Sequence, residues 1–228
     1  MKLRHAITLA LGLAAPPLFA EDGQAILSGQ CVACHATTAP TTADLDRLWA
    51  RKGPDLYYAG SKFNRAWLVA WLQQPTRIRP AGEFYTKHVK PGDKEDVVDD
   101  STLQPHVKLS AAQAEAVADA LMALKGADGL VEKGAFKGQK VSPAMGAMFF
   151  TKLRGCAACH SPKPGSGGAS GPELYTAGAR LQPDYIYSYT KSPQKFDPHI
   201  WMPTLNLSEP DLQRLTGYIV QLGATEAK

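Results

Sequence analysis

CVACH occupies residues 31–35, and CAACH follows at residues 156–160. These two pentapeptides hold all four cysteines of the 228-residue chain, and each ends in a histidine, His35 or His160. Cysteines in an exported protein ordinarily pair as disulfides. Here the spacing points elsewhere. A redox-active dithiol has no need of the following histidine, and a zinc site drawing on both pairs leaves the two histidines unexplained. C-x-x-C-H is the attachment pattern of c-type haem, in which two thiols add across the vinyl groups as thioethers and the next residue offers its imidazole to the iron. The expectation is two covalently bound haem c groups, one on Cys31 and Cys34 with His35 as ligand, the other on Cys156 and Cys159 with His160.

The N-terminus bears on that chemistry. Residues 1–20, MKLRHAITLALGLAAPPLFA, carry Lys2 and Arg4, then an apolar run from Ala6 to Ala15, and end on the small residue Ala20. This is the pattern of a secretory signal, and Pro16 with Pro17 would interrupt a structural helix there. No later segment approaches the ~20 apolar residues of a membrane span. An exported, periplasmic protein without a span after signal cleavage is expected. Losing the signal removes two positive charges, so the formal +4 becomes 25 − 2 − 21 = +2. Such near-neutrality gives no reason to expect nucleic acid as a partner, which calls for a strongly basic patch.

An internal repeat organises the remainder. GPDLYYAG at 53–60 matches GPELYTAG at 171–178, an offset of 118 that also carries Pro75 onto Pro193 and Pro80 onto Pro198. A short helix is expected to lead into each cysteine motif, from about Gly23 and from Ser142 with Pro143. Middle helices are expected at 64–74, with Asn64 as N-cap, and at 183–191, opening on Pro183. Closing helices should begin at Ser110, where Gln113 has capping-box spacing, and at Ser208, where Asp211 places negative charge in the first turn. Trp67, Leu68, Trp71 and Leu72 recur at helical spacing and read as core. Residues 127–141, rich in glycine and lysine without helical period, read as a linker.

Over essentially the whole mature chain, the sequence resembles two class I cytochrome c domains in tandem, as in bacterial dihaem cytochromes c. The resemblance implies an all-α fold of two cytochrome c-like helical domains, each wrapped around a covalently bound haem c. The expected division is a signal peptide at 1–20, one domain at 21–126, the linker at 127–141 and a second domain at 142–228. It further implies that the carbonyls of Pro54 and Pro172 accept a hydrogen bond from the proximal histidines, fixing their tautomer. In the family the sixth ligand is usually a methionine just before the last helix. Met202 occupies that place in the second repeat, with His199 as the alternative.

The first repeat has Gln104 in the methionine slot, so a neighbouring imidazole, His106 or His88, replaces it or the iron stays open. The loop from Pro80 to Ser110 spans 30 positions against 10 in the second repeat, which leaves slack to present either histidine. It also holds DKEDVVDD at 93–100, read as a solvated acidic loop. The function implied is electron transfer without bond-breaking catalysis, between haems of which the second, with a thioether ligand, has the higher potential. The partners implied are periplasmic or membrane redox proteins: another cytochrome, an oxidase, a quinol-oxidising complex or a dehydrogenase. The rival is a haem enzyme or ligand sensor with an open sixth position at the first haem.

Overall fold

Local signals in the sequence account for most of the helix boundaries. The structure is a computed structural model that describes residues 21–224, so the proposed signal segment lies outside the described residues. It is mostly helical. Asp22 caps α1 (Gly23–Ile26), accepting from the Gln24 and Ala25 amides, and the helix widens into a π-helical turn at Leu27–Cys31. Ser142 caps α6 (Pro143–Met148), which continues into a similar turn at Phe149–Leu153. The short helices α3 (Ala59–Lys62) and α7 (Ala177–Arg180) precede the middle helices α4 (Arg65–Gln73) and α8 (Pro183–Lys191). The closing helices are α5 (Ala111–Ala123), with the reciprocal Ser110–Gln113 capping box, and α9 (Glu209–Gln221), capped by Ser208. Each closing helix packs on the entry and middle helices of its own half. Leu27, Leu68, Leu72, Val117 and Leu121 form the core of the first half, with Phe150, Ile186, Leu215 and Ile219 in the second.

Among the described residues, a helix and a hairpin of the first half have no counterpart in the second. Helix α2 (Leu45–Ala50) is capped by Asp44, and a small antiparallel hairpin pairs β1 (Val89–Lys90) with β2 (Val97–Val98). The hairpin carries the acidic stretch, parts of which are paired internally: Asp96 accepts from the Tyr85 hydroxyl and Asp99 from Ser101. Residues 127–141 form no helix but are strapped to the second half. The Asp184 carboxylate accepts the Gly134 and Phe136 amides, and Gln213 exchanges hydrogen bonds with Lys137 and Ala135. Among the described residues no helix is long and apolar enough to cross a membrane.

The two halves meet through a local two-fold axis. Phe63 and Leu181 form an antiparallel bridge flanked by Asn64 N–H to Arg180 O and Gln182 N–H to Lys62 O, both 2.9 Å. Residues 63 and 181, like 64 and 182, are related by the repeat offset of 118, so equivalent positions contact one another, as in an isologous dimer interface. Asn64 stands at the N-cap of α4 as expected, but its side chain makes no capping bond. Its amide crosses the interface to the Ala179 and Leu181 carbonyls, while the Gln182 amide crosses to Gly60 and Phe63. Tyr58, Tyr185 and Phe196 pack across the same seam.

Candidate functional site

Each cysteine motif is a tight turn at the end of an entry helix. The His35 amide returns to the Cys31 carbonyl at 3.0 Å, and the His160 amide to that of Cys156 at 3.0 Å. This fold-back places two thiols and one imidazole on a single turn. All four thiols are free; Cys31 and Cys156 are half-buried, and burial pushes their thiols up, whereas Cys34 and Cys159 are exposed. The two pairs do not join: among the described residues, no group of three or more His, Cys, Asp or Glu converges as a metal cluster would.

Both histidines are held in the same way. His35 Nδ1 lies 2.7 Å from the Pro54 carbonyl oxygen and His160 Nδ1 lies 2.8 Å from that of Pro172. A carbonyl oxygen can only accept, so Nδ1 carries the proton and Nε2 keeps its lone pair. Burial lowers the pKa of both rings, which favours the neutral, ligand-competent form. Gly53 and Gly171 make this placement possible: a Cβ at either would stand 2.6 Å from Cε1 of His35 or His160. The Gly-Pro dipeptide, a turn signal in the sequence, is therefore also the floor on which the imidazole lies.

The structure brings His106 to His35, with ring centres 6.1 Å apart. Metal–imidazole bonds of about 2 Å each, added to the half-widths of two rings, span about 6 Å. His106 Nδ1 donates to the Val107 carbonyl at 2.8 Å, so its Nε2 is also left with a lone pair, and the Trp71 ring packs against it at 4.6 Å. His88 is engaged elsewhere, bonded through Nδ1 to the Thr102 hydroxyl at 2.8 Å and lying against Gly82.

In the second half Met202 lies in the loop before α9. Its carbonyl accepts from Gln194 Nε2 at 2.8 Å, and Gln194 also takes the Thr204 hydroxyl. The His199 amide is tied to the Asp197 carboxylate at 3.0 Å. Among the described residues, three buried side-chain groups that can donate, Arg51 Nε, Arg180 Nε and the Thr216 hydroxyl, have no hydrogen-bond partner. Such orphan donors are rare in a folded interior. Arg51, Glu83 and Asp197 were not singled out from the sequence. Their pairing spans up to 146 positions and leaves no local periodicity or motif.

Fold and site thus define a mostly helical chain with a duplicated turn of two free thiols and one oriented, neutral imidazole. Comparison with protein families, curated proteins and solved structures finds no match.

Proposed function

We propose that this chain is a periplasmic dihaem c-type cytochrome of two tandem class I domains, divided as the repeat indicates, that passes electrons between redox partners. One observation carries the reading: the Cys-x-x-Cys-His turn occurs twice, each time with its histidine fixed through Nδ1 to a proline carbonyl, at 2.7 and 2.8 Å. When bound, haem c supplies reversible one-electron ferric–ferrous chemistry. The residues present fit that group. Cys31, Cys34, Cys156 and Cys159 would form the thioethers, and His35 and His160 would ligate from one face. Pro54 and Pro172 keep those imidazoles in one tautomer and raise their basicity.

On the opposite face, the 6.1 Å separation of His106 from His35 favours a bis-histidine first site, with His88 as a loop histidine. Met202, by its loop position, would be the thioether ligand of the second, giving it the higher potential. With His106 and Met202 as the sixth ligands, the chain would be a carrier rather than an enzyme or sensor. The donor and acceptor would be periplasmic or membrane redox proteins: a cytochrome, an oxidase, a quinol-oxidising complex or a dehydrogenase.

Mass spectrometry and paramagnetic resonance of the ferric protein test this. The expected result is an intact mass raised by two haems and two low-spin signals. His106→Ala should convert the first signal to high spin, and His88→Ala should leave both unchanged. Free thiols without haem mass would overturn the reading. A high-spin first haem in the wild type would favour the enzyme or sensor.

A further inference from the structure

The two repeats differ on the proximal side as well as in the long loop. His35 and Pro54 are 19 positions apart, whereas His160 and Pro172 are 12 apart. The extra segment carries α2 and ends at Arg51. It leaves its own half: one guanidinium nitrogen of Arg51 bonds Asp197 at 2.8 Å, and the other bonds Glu83 at 2.7 Å. Arg51 and both acids are about one-tenth exposed. The second oxygen of Asp197 holds the His199 amide, so one carboxylate joins Arg51 to the turn that opens the Met202 loop. Trp49, on α2, meets Trp201 edge-on at 5.9 Å, and Phe84 backs both indoles at 5.1 and 6.3 Å. Trp201 immediately precedes Met202.

We infer that α2, through Arg51 and Trp49, positions the loop that presents Met202, so that the first half sets the ligation of the second site. Gln194 holds this loop from within its own half, and Arg51 with Trp49 holds it from the other side. A thioether is a weak, neutral ligand that stays on ferric iron only when its loop is already in place, because a free loop loses conformational freedom on ligation. Arg51 and Trp49 are positioning residues: neither has a place among the ligands. The inference rests on the dihaem reading, with Met202 as ligand, and goes beyond it by tying the second site to residues of the first half.

The experiment uses the full-length holoprotein with two separate variants, Trp49→Ala and Arg51→Lys. Trp49 and Trp201 are about half exposed, so removing one indole leaves the buried core in place. The lysine variant keeps the charge that Asp197 and Glu83 require but loses the two-pronged bond. The readouts are the sulfur-to-ferric-iron charge-transfer band, the redox titration and the low-spin resonance of the first site. Weakening of the sulfur band in both variants is expected. So is a fall in the higher potential of about 59 mV for each tenfold loss of thioether preference for ferrous over ferric iron. The first-site resonance should stay where it is. An unchanged sulfur band and higher potential would overturn the inference while leaving the dihaem reading intact. Equal disturbance of both sites would also overturn it, by showing a general loosening. Absence of a sulfur band in the wild type, with both haems attached, would remove Met202 as ligand and the inference with it.

Discussion

At the scale of single residues, the proximal histidines depend on what is missing beside them. Gly171→Ala puts a methyl group 2.6 Å from His160 Cε1, so the ring must tilt and its bond to Pro172 must lengthen. On the dihaem reading, the expected outcome is a raised potential, because an imidazole that loses this bond is less basic and favours ferric iron less, or partial loss of the second haem with the first unaffected, read by redox titration and intact mass. Lys62 gives a second case. Its ammonium lies 4.9–5.6 Å from the ring centres of Phe63, Tyr185 and Tyr58, and burial, then Arg180 and Arg79, lower its pKa to about 7 against the pull of Glu83 and Asp55. The unfolded chain holds that proton up to about 10.5, so between the two values it binds more protons than the folded one, and stability rises with pH. Denaturant unfolding at pH 7 and pH 9 should show wild type gaining on the order of 1–2 kcal/mol relative to Lys62→Met, a fraction of the 1.36 kcal/mol per unit available. No relative gain would show that the folded protein keeps this lysine charged.

At the scale of elements, the helices whose ends are set locally were legible beforehand. Ser110 with Gln113, Ser142 with Pro143, Ser208 and Pro183 each place a boundary through bonds to neighbouring amides or a preset dihedral angle, and the structure puts helix ends there. Ser110→Ala should cost about 1 kcal/mol in thermal unfolding, because it removes the hydroxyl that accepts the Gln113 amide, while the bond from the residue-110 amide to the Gln113 side chain can remain. The cysteine motifs and their Gly-Pro floors were legible for the same reason. Other features follow from partners distant in sequence. Asn64 reads as a cap from its neighbours, yet Ala179 and Leu181, some 115 positions away, claim its amide. The β1–β2 hairpin sits in a loop whose length was evident, but the Val89–Val98 pairing was not, and helix α2, whose end at Arg51 is tied to Asp197, was not anticipated at all. His106 and His88 were equally reachable on the sequence, and only the path of the folded loop sets one of them against His35.

At the scale of the whole molecule, duplication supplies the interface as well as the two sites. Because Phe63 and Leu181 are equivalent positions, each half presents to the other a nearly identical edge: a carbonyl at residue 62 or 180 and an amide at 64 or 182. The cross-links from Arg51 to Asp197 and from Glu173 N–H to the Ile78 carbonyl extend this seam beside both proximal loops. Nothing in such an edge distinguishes a partner in the same chain from one in another. A chain ending after residue 126 would keep its edge at Lys62–Asn64 with the matching segment gone, and an open backbone edge of that kind recruits another of complementary shape. The nearest complement is the same edge of a second molecule, since two copies of Phe63 can pair antiparallel about a true two-fold axis. Sedimentation of the isolated first half should therefore show a dimer, and Asn64→Pro, which deletes the donating N–H, should return it to a monomer. The intact chain satisfies that edge internally, and so carries its own dimerisation partner.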